Sequence, residues 1–275
     1  MKSRILLLIV FLPAGLFLNP SAVNSRSLQD AIDCLNSGKF KQAADLLTKK
    51  ITVDSMDYKA WYYRGLANYN LKKYKKAVLD FTRTTMINSS YGAAYRNRGA
   101  TYFYLNENSL ALEDYTRAIE IDSTDADAFY RRGHLFKNGF NQVEQSLEDY
   151  SQAIRLDSGK TWAYVNRGNI YLQLENYQKA VDDFSVALSQ NRELAQTYFS
   201  RGTAFLKLQK YAEAIADFDT TISQNKLFYL AYYYKALSLE LSGQQEKAID
   251  VYKELLLYLP DSETELKKDA LRKIK

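Results

Sequence analysis

One cysteine, one histidine, three prolines and two tryptophans are all that 275 residues hold of those types, and each scarcity closes a route. A lone Cys34 admits no intramolecular disulfide, and with His134 as the only histidine no Cys/His zinc cluster can assemble, so neither metal nor cofactor is expected. The missing disulfide leaves the compartment open, because a chain of this size buries enough core without a covalent staple. Eleven glycines and three prolines, with no Pro/Gly/Ser-rich stretch between the ends, leave no linker, and one continuous body is expected. The net charge is +5, or +3 without Lys2 and Arg4, too weak a bias for nucleic acid to be the expected partner. What is plentiful is ordinary globular material, 47% hydrophobic and 25% charged.

The N-terminus reads as an export signal. Lys2 and Arg4 precede a fourteen-residue run, Ile5 to Leu18, broken by Pro13 and Gly15. A bilayer span takes roughly 20 apolar residues, so the run has signal length. Small residues follow, and cleavage after Ser25, with Ala22 as the alternative, makes residues 1–25 a signal peptide and the protein periplasmic or secreted. The other reading is an uncleaved anchor running to Val23. Cys34 stands sixteen residues beyond Leu18, too far on for lipid attachment.

Self-comparison is decisive. Arg-Gly returns at Arg64-Gly65, Arg98-Gly99, Arg132-Gly133, Arg167-Gly168 and Arg201-Gly202, at spacings of 34, 34, 35 and 34. A further step lands on Lys235-Ala236 and a step back on Ala31, giving seven units, the fourth with one extra residue between Lys137 and Gln142. A small column (Ala43, Ala77, Ala111, Ser146, Ala180, Ala214, Ala248) and a large one (Leu47, Phe81, Tyr115, Tyr150, Phe184, Phe218, Tyr252) run in register. Each unit therefore holds two patterns of helical period around a short polar turn such as Lys72-Lys73 or Glu175-Asn176. Glycine inside a helix costs about 0.5–1 kcal/mol relative to alanine, so five in register call for close approach, which small residues packed on small residues would provide. One hairpin cannot bury both faces, and stacking creates the core. After Pro260, Ser262 and Glu265 have capping-box spacing, and Leu266, Ala270 and Ile274 share a side, so residues 263–275 are expected to form a capping helix whose bases are solvated.

Units such as AWYYRGLANYNLKKYKKAVLDF and TYFSRGTAFLKLQKYAEAIADF resemble tetratricopeptide repeats, and Trp61, Gly65, Tyr74, Ala77 and Phe81 match that family's pattern in one unit. The sequence departs from the pattern where leucine before the glycine is Arg in five units, and where the proline between units survives only at Pro260. The resemblance implies an all-α, right-handed α-solenoid of seven helix-turn-helix repeats over residues 26–262, and a scaffold whose first helices line a concave groove that holds a protein or peptide segment. A groove of the kind that grips a C-terminal carboxylate would need Lys and Asn where Tyr62 and Leu66 stand, so that ligand is not expected.

One-face helical spacing instead lines the expected groove with Tyr62, Tyr69, Arg96, Phe103, Tyr130, His134, Lys137, Trp162, Asn169 and Phe199, then Tyr233. Aromatic and Arg residues concentrate binding energy at interfaces, but each of these rings can equally pack between neighbouring helices. A second pattern pairs two columns, Arg64/Asp80, Arg98/Asp114, Arg132/Asp149, Arg167/Asp183 and Arg201/Asp217, which vanish together in the last unit, so structural ion pairs are expected. No nucleophile stands with its base, and no phosphate loop or metal-binding helix pair occurs, so no catalysis is expected. The expected role is protein binding in the envelope or secreted space, with docking on the convex face as the alternative and helical-repeat RNA reading a more distant one.

Overall fold

The computed structural model describes residues 20–275 apart from residue 261, with side chains from residue 28. The expected signal run and its two bases lie outside the described residues. Among the described residues there are fifteen helices and no strand. The first four are α1 (Pro20–Asn36), α2 (Phe40–Val53), α3 (Tyr58–Asn70) and α4 (Tyr74–Ile87). Next come α5 (Gly92–Tyr104), α6 (Asn108–Ile121), α7 (Ala126–Phe140) and α8 (Val143–Leu156). They are followed by α9 (Thr161–Gln173), α10 (Tyr177–Gln190), α11 (Ala195–Lys207) and α12 (Tyr211–Gln224). Last are α13 (Tyr229–Leu241), α14 (Gln245–Tyr258) and α15 (Thr264–Ile274). Helix α1 begins ahead of the expected cleavage point at Ser25. No described helix is long and apolar enough to cross a membrane.

The chain divides into two compact units, Met1–Thr101 and Tyr102–Lys275, where the sequence led us to expect one body; the dividing line falls within α5. Within each, every helix packs on the next, α1 to α4 in the first unit and α6 to α15 in the second. The turn inside each pair is closed the same way. Lys72, Asn106, Asn141, Glu175 and Gln209 take φ of 54–61°, and Gly38 and Gly243 take 71° and 81° at the equivalent places. The next amide then reaches back into the helix, as Lys73 N–H does to the Asn68 carbonyl at 2.8 Å, so the carbonyls left over at the helix end are satisfied. The extra residue of the fourth repeat is absorbed as helix: α7 has 15 residues where α3, α5, α9, α11 and α13 have 13.

All seven small-column residues are fully buried, and the large column is at most 2% exposed. Gly133 meets the small column as expected, accepting a hydrogen bond from Ser146 at 2.8 Å, but at three other glycines the closest neighbour is a ring of the large column. A Cβ on Gly65 would stand 2.6 Å from the Phe81 ring, and on Gly168 and Gly202 2.8 and 2.9 Å from Phe184 and Phe218. Glycine makes room for the ring edge of the large column, which is the closer packing partner.

The capping box is also corrected. Glu263, not Ser262, stands at the N-cap of α15 and accepts a hydrogen bond from Tyr229 Oη at 3.0 Å. Ala270 is sealed, and Lys273 is half-buried rather than freely solvated: its Nζ holds Glu240 at 2.6 and 2.9 Å. Tyr233 donates to Asp269 at 2.9 Å, which holds that carboxyl below its ordinary range, while burial and the same bond push the phenol up to about 12. A terminal repeat must seal an apolar stacking face, and here three polar ties fasten the seal.

Candidate functional site

The first-helix face separates into two stretches. In the first unit, Tyr62 is 8% exposed: its ring packs edge-on to Tyr91 at 4.9 Å and against Phe81 at 5.9 Å, and Asn97 Nδ2 donates to its hydroxyl at 3.0 Å. Tyr62 is therefore core, because stacking the next repeat covers it, and it offers a partner no surface. Tyr69 and Arg96 are half-buried, Tyr69 edge-on to Tyr74 at 5.8 Å.

In the second unit Phe103, Tyr130, His134, Lys137, Asn169 and Phe199 are half-buried and Trp162 is exposed at 56%. Phe199 belongs with the core, since Phe218, Phe228 and Tyr234 surround its ring within 5.8 Å. Phe103 sits edge-on to His134 at 5.4 Å, and Tyr130 accepts from Asn166 at 3.3 Å and leans on Tyr150 at 5.8 Å. Burial, aided by the nearby Arg131 cation, holds His134 below its ordinary value; burial pushes the Tyr130 phenol up against the opposing Asn166 bond. At the start of α9, Lys160 Nζ bridges Asp127 at 2.9 Å and Asp157 at 3.3 Å. The exposed chemistry is thus one indole with an imidazole, an amide and paired charges, rather than a strip of rings.

The Arg and Asp columns meet within single repeats. Arg64, Arg132, Arg167 and Arg201 each present a two-pronged guanidinium to Asp80, Asp149, Asp183 and Asp217, with shortest contacts of 2.7, 2.8, 2.7 and 2.8 Å. The carboxylates are at most 5% exposed. The remaining guanidinium nitrogen reaches a hydroxyl on the preceding repeat: Thr48 at 3.2 Å, Thr116 at 3.4 Å, Ser151 at 2.9 Å and Ser185 at 3.1 Å. Each guanidinium also lies near an aromatic face three residues back, Trp61 at 4.6 Å and Phe129, Tyr164 and Tyr198 at 5.5–5.8 Å. Arg98 donates to Thr82 at 3.0 Å and Thr85 at 3.2 Å; Asp114, buried, belongs to the other unit. Burial raises the Asp149 and Asp217 carboxyls against the pull of their arginines, and bonding to Asp183 and Asp217 raises Arg167 and Arg201. These are structural staples: the planar fork fits carboxylate and hydroxyl at once, as lysine would not.

In the last repeat Lys235 replaces the arginine and pairs instead with Asp219 of the preceding repeat at 2.7 Å. The hydroxyl column went unnoticed in the sequence, although it recurs in the same 34-residue register. So did the distribution of charge, which summing over the whole chain conceals. Among the described residues no cluster of side chains could hold a metal ion.

Family models described as tetratricopeptide repeat match residues 28–93, 199–262 and 161–194, and one described as TPR repeat matches 99–139. Among curated proteins none matches. Among solved structures, the C-terminal part of a TPR repeat-containing protein from Cytophaga hutchinsonii is 19% identical over 90% of this chain and 99% of that one, with a TM-score of 0.71. A tetratricopeptide repeat protein from Parabacteroides merdae is 16% identical over 91% and 98%, with a TM-score of 0.59. YrrB, described as a TPR protein with an unusual peptide-binding site, is 19% identical over 70% and 98%, also at 0.59. At these identities the likeness is one of fold.

Proposed function

We propose, from the premise that this chain belongs to the tetratricopeptide repeat family, that it is an exported, non-catalytic scaffold that captures a protein segment on the first-helix face of its second unit. The family's fold is generally an interaction scaffold, and binding a protein or peptide is the coarse role that follows. The observation that carries the finer reading is Trp162, a large ring 56% exposed beside the Lys160 bridge, where the other aromatic members of the face are at least half covered. A rigid indole offers contact area at low entropic cost, which makes it a natural anchor. His134, Lys137 and Asn169, farther along the same face, supply polar groups that an extended segment anchored at Trp162 would reach. Export rests on the charged start, the short apolar run and the small residues before Ser25.

A photo-crosslinking amino acid placed at Trp162 or Lys137 in the protein expressed in its own cell should trap the partner segment, while the same group at exposed Glu213 should not. Trp162→Ala should weaken capture by at least about 1–2 kcal/mol with helicity and melting unchanged. Unaltered capture would remove this face from consideration. N-terminal sequencing of the protein from cell fractions tests export: an intact Met1 in the cytoplasm rejects it.

A further inference from the structure

The net charge of +5 hides a division. Residues 28–101 carry thirteen Lys and Arg against six Asp and no Glu, whereas residues 102–275 carry twenty-one against twenty-six acids. In the second unit acids outnumber bases and several lysines are paired across helices, as Lys160, Lys235 and Lys273 are with Asp127, Asp219 and Glu240. In the first unit Lys39, Lys41, Lys73 and Lys76 are exposed, and among the described residues none of them forms an ion pair. They also oppose local stability. Lys39 and Lys73 occupy the N-cap positions of α2 and α4 with no side-chain cap bond, where a cation faces the positive helix end and an acid would be favoured. Lys210 stands at the equivalent N-cap of α12 in the second unit, but Glu213 three residues on offsets it, whereas Lys73 is followed at that place by Lys76, so only in the first unit does the broken rule add up to a local excess of cations.

The same lysines rim two clefts that share Asp45. One, of about 470 Å³, has Trp61, Arg64, Asn68 and Asp80 for its floor and Lys73, Lys76 and Leu79 for its wall; the other, of about 500 Å³, lies between Lys39, Phe40, Lys41 and Leu71. Arg64 is already held by Asp80 and Thr48, so the floor is neutralised and the rim cations are left over. Leu79, 69% exposed, and the Trp61 face give the first cleft an apolar wall.

We propose that the first unit carries a second docking surface, built on Lys39, Lys41, Lys73 and Lys76 around these clefts, and that it takes an acidic segment of a partner protein bearing an apolar side chain. Charge complementarity selects an acidic ligand. Asp45 at the junction of both clefts opposes the unbroken row of phosphates that an anionic bilayer would present, whereas a peptide can place its carboxylates on either side of it. A segment that alternates carboxylates with an aliphatic or aromatic side chain satisfies rim and floor together. This inference does not rest on the reading of the other face: α3 turns Trp61, Arg64 and Asn68 into the cleft, and its helical period carries Tyr62, Leu66 and Tyr69 away from it.

Each candidate surface has its own tryptophan, and the chain has only these two. In the full chain with Trp162→Phe, titration with a short peptide alternating Glu with Leu should change Trp61 emission, with an affinity that falls steeply with salt. Lys73→Glu with Lys76→Glu should weaken it about tenfold or more, at unchanged helicity and with melting no lower. Lys73→Gln with Lys76→Gln should give an intermediate loss, and a scrambled Lys/Leu peptide should not bind. In the Trp61→Phe chain, Trp162 emission should stay silent to the Glu/Leu peptide. Lysine-independent binding would overturn the proposal, as would a response at Trp162 alone. So would lysine-dependent binding of phosphatidylglycerol vesicles, or lysine-dependent self-association by sedimentation, without peptide binding.

Discussion

A shift of 171 residues, five repeats and the one inserted residue, carries Ala44, Thr48, Arg64, Asn68, Lys73, Lys76 and Asp80 onto Ile215, Asp219, Lys235, Leu239, Gln244, Lys247 and Val251. Both sets line clefts, about 470 Å³ in the first unit and about 420 Å³ in the second. The backbone register places the cleft; the side chains decide what it is. In the first, Arg64 turns inward to a nearly buried Asp80 of its own repeat, and two lysines rim the opening. In the second, the floor is Ile215, Leu239 and Val251, and Lys235 turns back to the half-exposed Asp219 of the preceding repeat. Replacing one buried carboxylate by Val251 thus redirects the cation and leaves an apolar floor. A repeat architecture can vary chemistry at a fixed position without moving the chain.

The largest test of that contrast is to delete the cation in each setting. Arg201→Ala strands Asp217, 4% exposed, and should cost about 3–5 kcal/mol, read as a fall in the urea midpoint. Lys235→Ala leaves Asp219 free to face water and should cost no more than about 1 kcal/mol. Similar losses at both sites would deny that burial separates them.

Glycine substitution comes next. Gly65→Ala drives a Cβ to 2.6 Å from the sealed Phe81 ring, where Gly133→Ala meets Asp149 and Tyr150 at 3.1–3.2 Å. Calorimetry should show a loss of about 1–3 kcal/mol for the first and a smaller one for the second.

Lys73→Asp sharpens the contrast from the opposite direction. An acid at the N-cap should stabilise the first unit by about 0.5–2 kcal/mol in thermal or urea melts, while acidic-peptide binding weakens. Stabilisation with binding retained would reduce those lysines to an unused surface.

The smallest effect belongs to the second unit alone, which holds the only histidine. His134 is held below 6.5, so on acidification the unfolded chain takes up its proton first. Its contribution is therefore present at neutral pH and lost as pH falls from about 6.5 through the lower folded value. His134→Gln should remove that slope from melts followed at Trp162 while Trp61 reports no matching change.

The repeat, its two helices and the residues of its core were readable because burial imposes one residue type per column: Ala77 and Phe81 have counterparts in every unit. The Arg and Asp columns were readable for the same reason. Their third partner was not, since Thr48, Thr116, Ser151 and Ser185 vary in identity and share only a hydroxyl. Tyr62 shares its repeat position with Val165, whereas Trp162 shares its position with Lys59 one helical turn earlier, and spacing along one helix cannot say which of those two positions the neighbouring repeat covers. That depends on Tyr91 and Asn97, which close over Tyr62 from the next repeat.

Periodicity and composition by themselves determined that this chain is a train of helix pairs, with a packed small column and large column and a closing helix after Pro260, because local helical period and burial are properties of residue type and spacing. The tertiary structure alone decided that Gly65, Gly168 and Gly202 receive rings, that four arginines each tie two repeats through a carboxylate and a hydroxyl, and that four lysines surround two clefts. Those outcomes depend on contacts between different helices, such as those joining each arginine to partners 16 or 17 positions away, which are set by how helices pack against one another rather than by the order of residues along any one of them.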